Sequence, residues 1–294
     1  MGRSITSSVS SLALANALGL RHAGKEQAIK RIDSLDEAGP GSLCFAKNLA
    51  YARQAPPGVI LIASAENGPV EGSTTLLNAI DPARLEFARA LVWIETQVGF
   101  DWSATEPDIH PTAVVGKNVV LGKGVRIGSH TRIYHNVVIG DEVIIGERCV
   151  IKSGAVIGEE GFGFEREQSG KAIRLPHVGS VLIGNDVEIG SLTTVCRGTL
   201  KNTFVADGAK IDDHVHIAHN VYVGQDAMVI ACAEVSGGVH IGDRAWIAPN
   251  AAVLNQIRIG ADSTVGLGAV VIKHVEAGST VAGSPAKPLA KRPG

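Results

Sequence analysis

From Ala113 the chain can be written in sixes, AVVGKN, VVLGKG, VRIGSH, TRIYHN, VVIGDE, VIIGER, CVIKSG and AVIGEE, and the third place of each is aliphatic. Those places are Val115, Leu121, Ile127, Ile133, Ile139, Ile145, Ile151 and Ile157, and Ile109 extends the series backwards. A second run carries Ile183, Ile189 and Val195. After a four-residue slip it continues at Val205, Ile211, Ile217, Val223, Val229, Val235, Ile241, Ile247, Val253, Ile259, Val265 and Val271. With Ile, Leu and Val at about a quarter of positions, a run of hits as long as this last one arises by chance with a probability on the order of 10⁻⁷.

A period of six suits neither an α-helix nor an alternating strand. It suits a triangular solenoid in which each hexad is a short strand plus a turn and three hexads make one coil. The aliphatic residue points inward, and the Gly that often follows it is expected where the backbone turns tightly. Nine hexads over 107–160 and fifteen over 181–274 give 24, hence eight coils. At the usual strand spacing these stack into a prism about 38 Å tall. Aromatics are only 4% of the chain and Gly numbers 35, as expected of an interior filled by small aliphatics.

The period breaks twice. Residues 159–180, EEGFGFEREQSGKAIRLPHVGS, form a long insertion, and long loops in a regular scaffold carry function. The second break is the slip near Gly198–Thr203. Residues 1–104 show no hexads and read as a small α/β domain. Ser8–Leu20 reads as a helix and Val59–Ser64 as a buried strand. Asp81-Pro82 reads as an N-cap followed by Pro at the first helical position, with Leu85–Ile94 continuing the helix. The expected division is therefore 1–104, a solenoid over 105–285, and a short tail over 286–294.

A net charge of −2 gives no basic footprint for nucleic acid, and no apolar run is long enough to span a bilayer. Cys44, Cys149, Cys196 and Cys232 are scattered without CxxC spacing, the pattern of a reduced, cytoplasmic protein.

Several segments together resemble one family, the UDP-3-O-(3-hydroxyacyl)glucosamine N-acyltransferases of lipid A biosynthesis. They are SLDEAGPGSLCFAKNLAY (34–51), GFGF (161–164), LPHVG (175–179), IGNDVEIGSLTTVCRGTL (183–200), IDDHVHIAHNV (211–221) and VAGSPAKP (281–288). The resemblance implies that the solenoid is a left-handed parallel β-helix and that the front domain binds uridine. Three departures stand out. The sequence ends at Gly294, short of the helical extension associated in that family with trimer packing and carrier contact. Cys196 stands where the family commonly has Asp, and NQIRIG follows where it often has a second histidine near Asn255.

Amide formation needs a neutral amine, a base for its proton and donors for the tetrahedral oxyanion. His219 lies two places past inward Ile217, at a corner, so its side chain points outward as a base must. The bland alternative is a solvated corner histidine. Asp212, Asp213 and the nearby histidines are open candidates to orient it. Gly237 lies 18 residues on, one coil later at the same corner, and the resemblance implies that its N–H holds the oxyanion; otherwise it is a turn glycine. The resemblance also implies that Phe45 and Tyr51 sandwich uracil while Asn48 reads its polar edge through both amide donor and acceptor. Phe162, Phe164 and His177 are further substrate-binding candidates in the loop.

A lone corner cannot enclose an acyl chain, so a C₃ homotrimer with shared sites is expected. The expected partners are a UDP-amino sugar and an acyl carrier protein or coenzyme A thioester, with no metal or redox cofactor. Among other readings, an acetyl-CoA-dependent nucleotide-sugar N-acetyltransferase is the nearest. A zinc site of the γ-carbonic-anhydrase kind draws on the spacing of His177, His214 and His219, and a non-catalytic scaffold draws on the fold alone.

Overall fold

The computed structural model describes residues 2–65, 75–79, 81–102 and 105–289. The expected boundary at 104 falls on residues 103 and 104, outside the described residues, as does most of the expected tail. By contacts the chain forms two units. One is residues 1–101 together with 162–179 and 199–201, and the other is 102–161, 180–198 and 202–294. Both breaks in the hexad period thus hand residues to the front unit. That differs from a single cut in the sequence.

The front unit holds β1 (Arg3–Ser10), α1 (Ser11–Leu18), β2 (Arg21–Ala23), β3 (Ala28–Ile32), β4 (Ser42–Ala46), α2 (Leu49–Ala52), β5 (Ile60–Ser64), β6 (Thr75–Ala79) and α3 (Ala83–Gln97). Its sheet runs β1-β3-β4-β5-β6-β2, parallel from β3 to β6 and antiparallel at both edges. Parallel central strands need both faces covered, and ILIAS of β5 is buried through Ala63 accordingly. The expected first helix begins later, because residues 8–10 finish β1. Ser10 then caps α1, accepting from the N–H groups of Leu12 and Ala13, and Gly19 ends it in the left-handed region. Asp81 does not cap α3. The cap position is Pro82, and the Asp81 carboxylate pairs instead with Arg89 at 3.0 Å.

The insertion forms a hairpin, Phe164–Arg166 against Ala172–Arg174. Its carboxylates meet α3: Arg84 pairs with Glu165 at 2.6 Å and Arg89 with Glu167 at 3.1 Å. Arg3 Nε donates to the Val178 carbonyl at 3.2 Å, the Val178 N–H donates to Thr199 O at 2.8 Å, and Lys201 pairs with Asp36.

The second unit is the parallel β-helix that the hexads predict. Its three sheets of two- and three-residue strands have eight, ten and eight members, which is eight full coils plus a partial one. Equivalent residues pair 18 apart, as Arg126 with Ile144. The offset becomes 38 across the insertion (Ile144 with Leu182) and 22 across the slip (Val181 with Thr203), after which Phe204 pairs with Tyr222 at 18 again. From Ile127 onward the inward aliphatics are buried in one continuous core. Ile109 and Val115 remain 37% exposed, since the first coil pairs with a neighbour on one side only.

The corner glycines have a different reason from the one expected. Gly128 directly follows inward Ile127, yet the left-handed residue is His130, at φ 58°. A Cβ on Gly128 would sit 2.6 Å from the backbone carbonyl of Gly146 in the next coil. Close approach between coils, not turn conformation, demands glycine there.

Among the described residues no helix is long and apolar enough to cross a membrane.

Candidate active site

Inward Ile217 anchors the corner that carries His219. Asn220 takes the left-handed turn position at φ 60°, and its N–H donates to the buried Thr203 Oγ1 at 2.9 Å. So fixed, the Asn220 amide places Oδ1 3.0 Å from His219 Nδ1. With Nδ1–H donated to that oxygen, the neutral imidazole carries its lone pair on Nε2, the arrangement of a base held in one tautomer. Asn220 and Thr203 are the orienting pair that sequence reasoning missed. The signal was the Asn of IAHN. Asp212 and Asp213 are engaged elsewhere: Asp213 accepts from the Ser191 N–H at 2.6 Å and Asp212 from the Ala231 N–H at 3.2 Å. His216, outward on the strand before the corner, meets Thr194 Oγ1 at 2.6 Å.

Gly237 is the seat of the His219 ring. A Cβ there would lie 2.6 Å from Cε1 and 2.8 Å from Nε2. Its φ is not in the left-handed region, so this glycine is required by the histidine and not by the turn. Its N–H is open, as at several other corners. At the same hexad place, the N–H groups of Lys123, Asn185, Ser191 and Gln225 are capped by Asp141, Asp207, Asp213 and Asp243 one coil on. One coil on from Gly237 stands exposed Asn255, and the Gly237 N–H makes no hydrogen bond among the described residues. An open N–H beside a histidine has the chemistry to receive a developing oxyanion.

Past Gly237 the same edge turns apolar. Leu254 is 49% exposed and Ile272, one coil further, 44%, with Ala252 and Val270 beside them on the strand face. Below it, Cys196 is buried. Burial chiefly, with Glu234 and Glu159 adding, pushes its thiol up to about 11, so it is no thiolate nucleophile.

The remaining candidates lie in the front unit. Half-buried Phe45 at the end of β4 rests against Phe87 of α3, ring centroids 4.9 Å apart. Tyr51 in α2 is 44% exposed, and the Lys47 ammonium lies 4.4 Å from its ring centroid. Asn48 is the N-cap of α2: its Oδ1 accepts the Tyr51 N–H at 3.0 Å. The cap takes one of the two lone pairs of the Asn48 side-chain carbonyl. Phe162 is 87% exposed and its ring centroid is 4.8 Å from that of Phe164. His177 is placed inside the unit, 1% exposed, with Nδ1 3.0 Å from Leu175 O. A Cβ on Gly163 would lie 2.5 Å from its ring, so the second glycine of GFGF makes room for the histidine of LPHVG. Among the described residues no group of three or more His, Cys, Asp or Glu is arranged to hold a metal.

Residues 124–159 match the bacterial transferase hexapeptide (six repeats) family. The chain is 38% identical over 223 residues to a UDP-3-O-acylglucosamine N-acyltransferase of Delftia acidovorans, covering 71% of this chain and 65% of that protein. It is 49% identical over 81 residues to the enzyme of that name from Coxiella burnetii, covering 28% of this chain and 24% of the relative. The chain therefore spans less than two thirds of these relatives. Among solved structures it resembles UDP-N-acetylglucosamine O-acyltransferase from Moraxella catarrhalis, with a TM-score of 0.58 and 29% identity over 63% of this chain and 70% of that one. The chain is thus similar to UDP-3-O-acylglucosamine N-acyltransferases over most of its own length, and to hexapeptide-repeat transferases over residues 124–159.

Proposed function

We propose that this chain is an N-acyltransferase of the lipid A type. It moves a 3-hydroxyacyl group from a thioester to the 2-amine of a UDP-linked glucosamine derivative. The observation that carries this reading is His219, held through Nδ1 by Asn220, with its ring packed over Gly237, whose own N–H is open. The amine attacks the thioester carbon while Nε2 of His219 takes its proton. The Gly237 N–H holds the oxyanion, and collapse expels the thiolate, which recovers the proton from the imidazolium. The exposed apolar residues past Gly237 favour a long acyl chain over acetyl. In the front unit, Phe45 and Tyr51 take uracil and Asn48 donates Nδ2–H to one of its carbonyls. Exposed Phe162 and Phe164 offer a further apolar contact to substrate, and His177 serves packing. The chain works in the cytoplasm as a homotrimer, with acyl carrier protein as the donor's carrier.

Single-turnover assays on one UDP-amino sugar test this, comparing hydroxyacyl-carrier protein with acetyl-CoA. Transfer from the carrier protein at a rate well above that from acetyl-CoA is expected. The reverse preference replaces this reading with a nucleotide-sugar N-acetyltransferase.

A further inference from the structure

Lys47 and Asn48 are the whole connection between β4 and α2. Asn48 is fixed by its cap, but Lys47 is exposed, and its ammonium lies 4.4 Å from the Tyr51 ring centroid. A cation within about 6 Å of a ring centroid is held by the ring quadrupole, weakly where water reaches it. A nucleobase stacked on the same ring is held more strongly, so a base that takes this face displaces the ammonium. The displaced group remains on a four-carbon stem rooted beside Asn48. A lysine released beside a bound uridine diphosphate meets the two phosphates, the strongest negative charge on such a ligand.

We propose that Lys47 is a diphosphate-binding residue that covers Tyr51 until the nucleotide arrives and then pairs with its phosphates. This rests on the reading of Phe45 and Tyr51 as the uracil site. The ammonium competes with the base for the ring and rewards the phosphates, so Lys47 selects a nucleoside diphosphate over the bare nucleoside.

Titration calorimetry of the full chain with uridine and with UDP, at low and high salt, tests it in the wild type, Lys47→Ala and Lys47→Arg. Position 47 is exposed, so neither variant threatens the fold. Lys47→Ala is expected to bind UDP about tenfold more weakly, the scale of one charge-assisted hydrogen bond. It should bind uridine about two- to fivefold more tightly, the scale of an exposed cation–π contact removed from competition. Its UDP affinity should depend less on salt, and Lys47→Arg should restore UDP binding. Unchanged UDP affinity in Lys47→Ala overturns the proposal. So does equal weakening of uridine and UDP, which would make the ammonium a mere support for the ring. A wild type that binds neither ligand removes the uracil site itself, and this inference with it. Normal uridine binding with an indifferent Lys47→Ala removes only the inference.

Discussion

The two units are held together in different ways. In the β-helix a residue's structural partner is 18 positions away, and the rule repeats from coil to coil. In the front unit the decisive partners are remote and each is particular: Arg3 with Val178, Arg89 with Glu167, Lys201 with Asp36. A repeating scaffold is stabilised by nearest-neighbour coils, so a changed corner residue disturbs little beyond itself. A unit assembled from three separate stretches of chain shares its contacts among groups that cannot be altered independently. Chemistry placed at a solenoid corner should therefore be separable from stability, whereas charge changes in the front unit should register as stability.

The largest effect is expected at His219. His219→Ala should lower kcat by about 10²–10⁴, the usual worth of a general base. The nucleotide KM and the melting temperature should hardly move, because the corner side chain fills no core. A variant keeping more than about a third of wild-type kcat at neutral pH is incompatible with a base of this strength. Gly237→Ala comes next. Its new Cβ falls 2.6 Å from His219 Cε1, so the ring must swing away while the N–H stays in place. A misplacement of that size is expected to lower kcat about 10²-fold. If the variant loses stability in step with activity, corner chemistry and coil stability are not separable after all.

The sequence shows the β-helix well, because one aliphatic residue in six decides where every coil goes. It shows the corner poorly. Gly237 looks like any corner glycine, and only the His219 ring over it reveals why it is there. Asn220 was visible in the motif, but its task depends on Thr203, which joins it across the slip. The front unit resists reading more strongly. GFGF and LPHVG look like a substrate loop, yet Gly163 and His177 pack on each other inside the unit, and the hairpin between them meets α3 from about 80 positions away. Asp81 has the local signature of a cap but is drawn off by Arg89, and no local pattern announces a partner of that kind.

Tyr51→Ala sharpens the comparison from the front unit's side. Loss of one base–aromatic stack should weaken UDP-sugar binding by about 1–3 kcal/mol. The loss should fall on KM with kcat retained, since the contact is alike in ground and transition states. The cap of α2 uses the Tyr51 N–H and survives the change. An unaltered KM in both Tyr51→Ala and Phe45→Ala would make these rings packing residues only.

The smallest effect is expected at Glu86, where the front unit's shared charges make a test of stability alone. Glu86 is buried in α3, and Arg89 reaches it at 2.8 Å while also pairing with Asp81 and Glu167. Burial, chiefly, pushes the Glu86 carboxyl above its ordinary range. Arg89 opposes this, and the charges of Asp81 and Glu167 reinforce it. A carboxyl raised on folding adds stability at acid pH, below its unfolded value, and that contribution is lost as pH rises through its folded value. In acid, Glu86 and a glutamine in its place are both neutral and nearly isosteric, so Glu86→Gln should match the wild type. Toward neutral pH the wild type must ionise a buried group and the variant need not, so Glu86→Gln should become the more stable, by no more than about 1 kcal/mol. Asp81 and Glu167 remain paired with Arg89 in both proteins. Hydrogen exchange of the α3 amides, variant against wild type at each pH, reads this locally and does not require the two units to unfold together. If α3 in Glu86→Gln exchanges faster than wild type at neutral pH, the Arg89–Glu86 pair outweighs burial. The buried carboxylate would then hold α3 to its neighbours instead of loosening it.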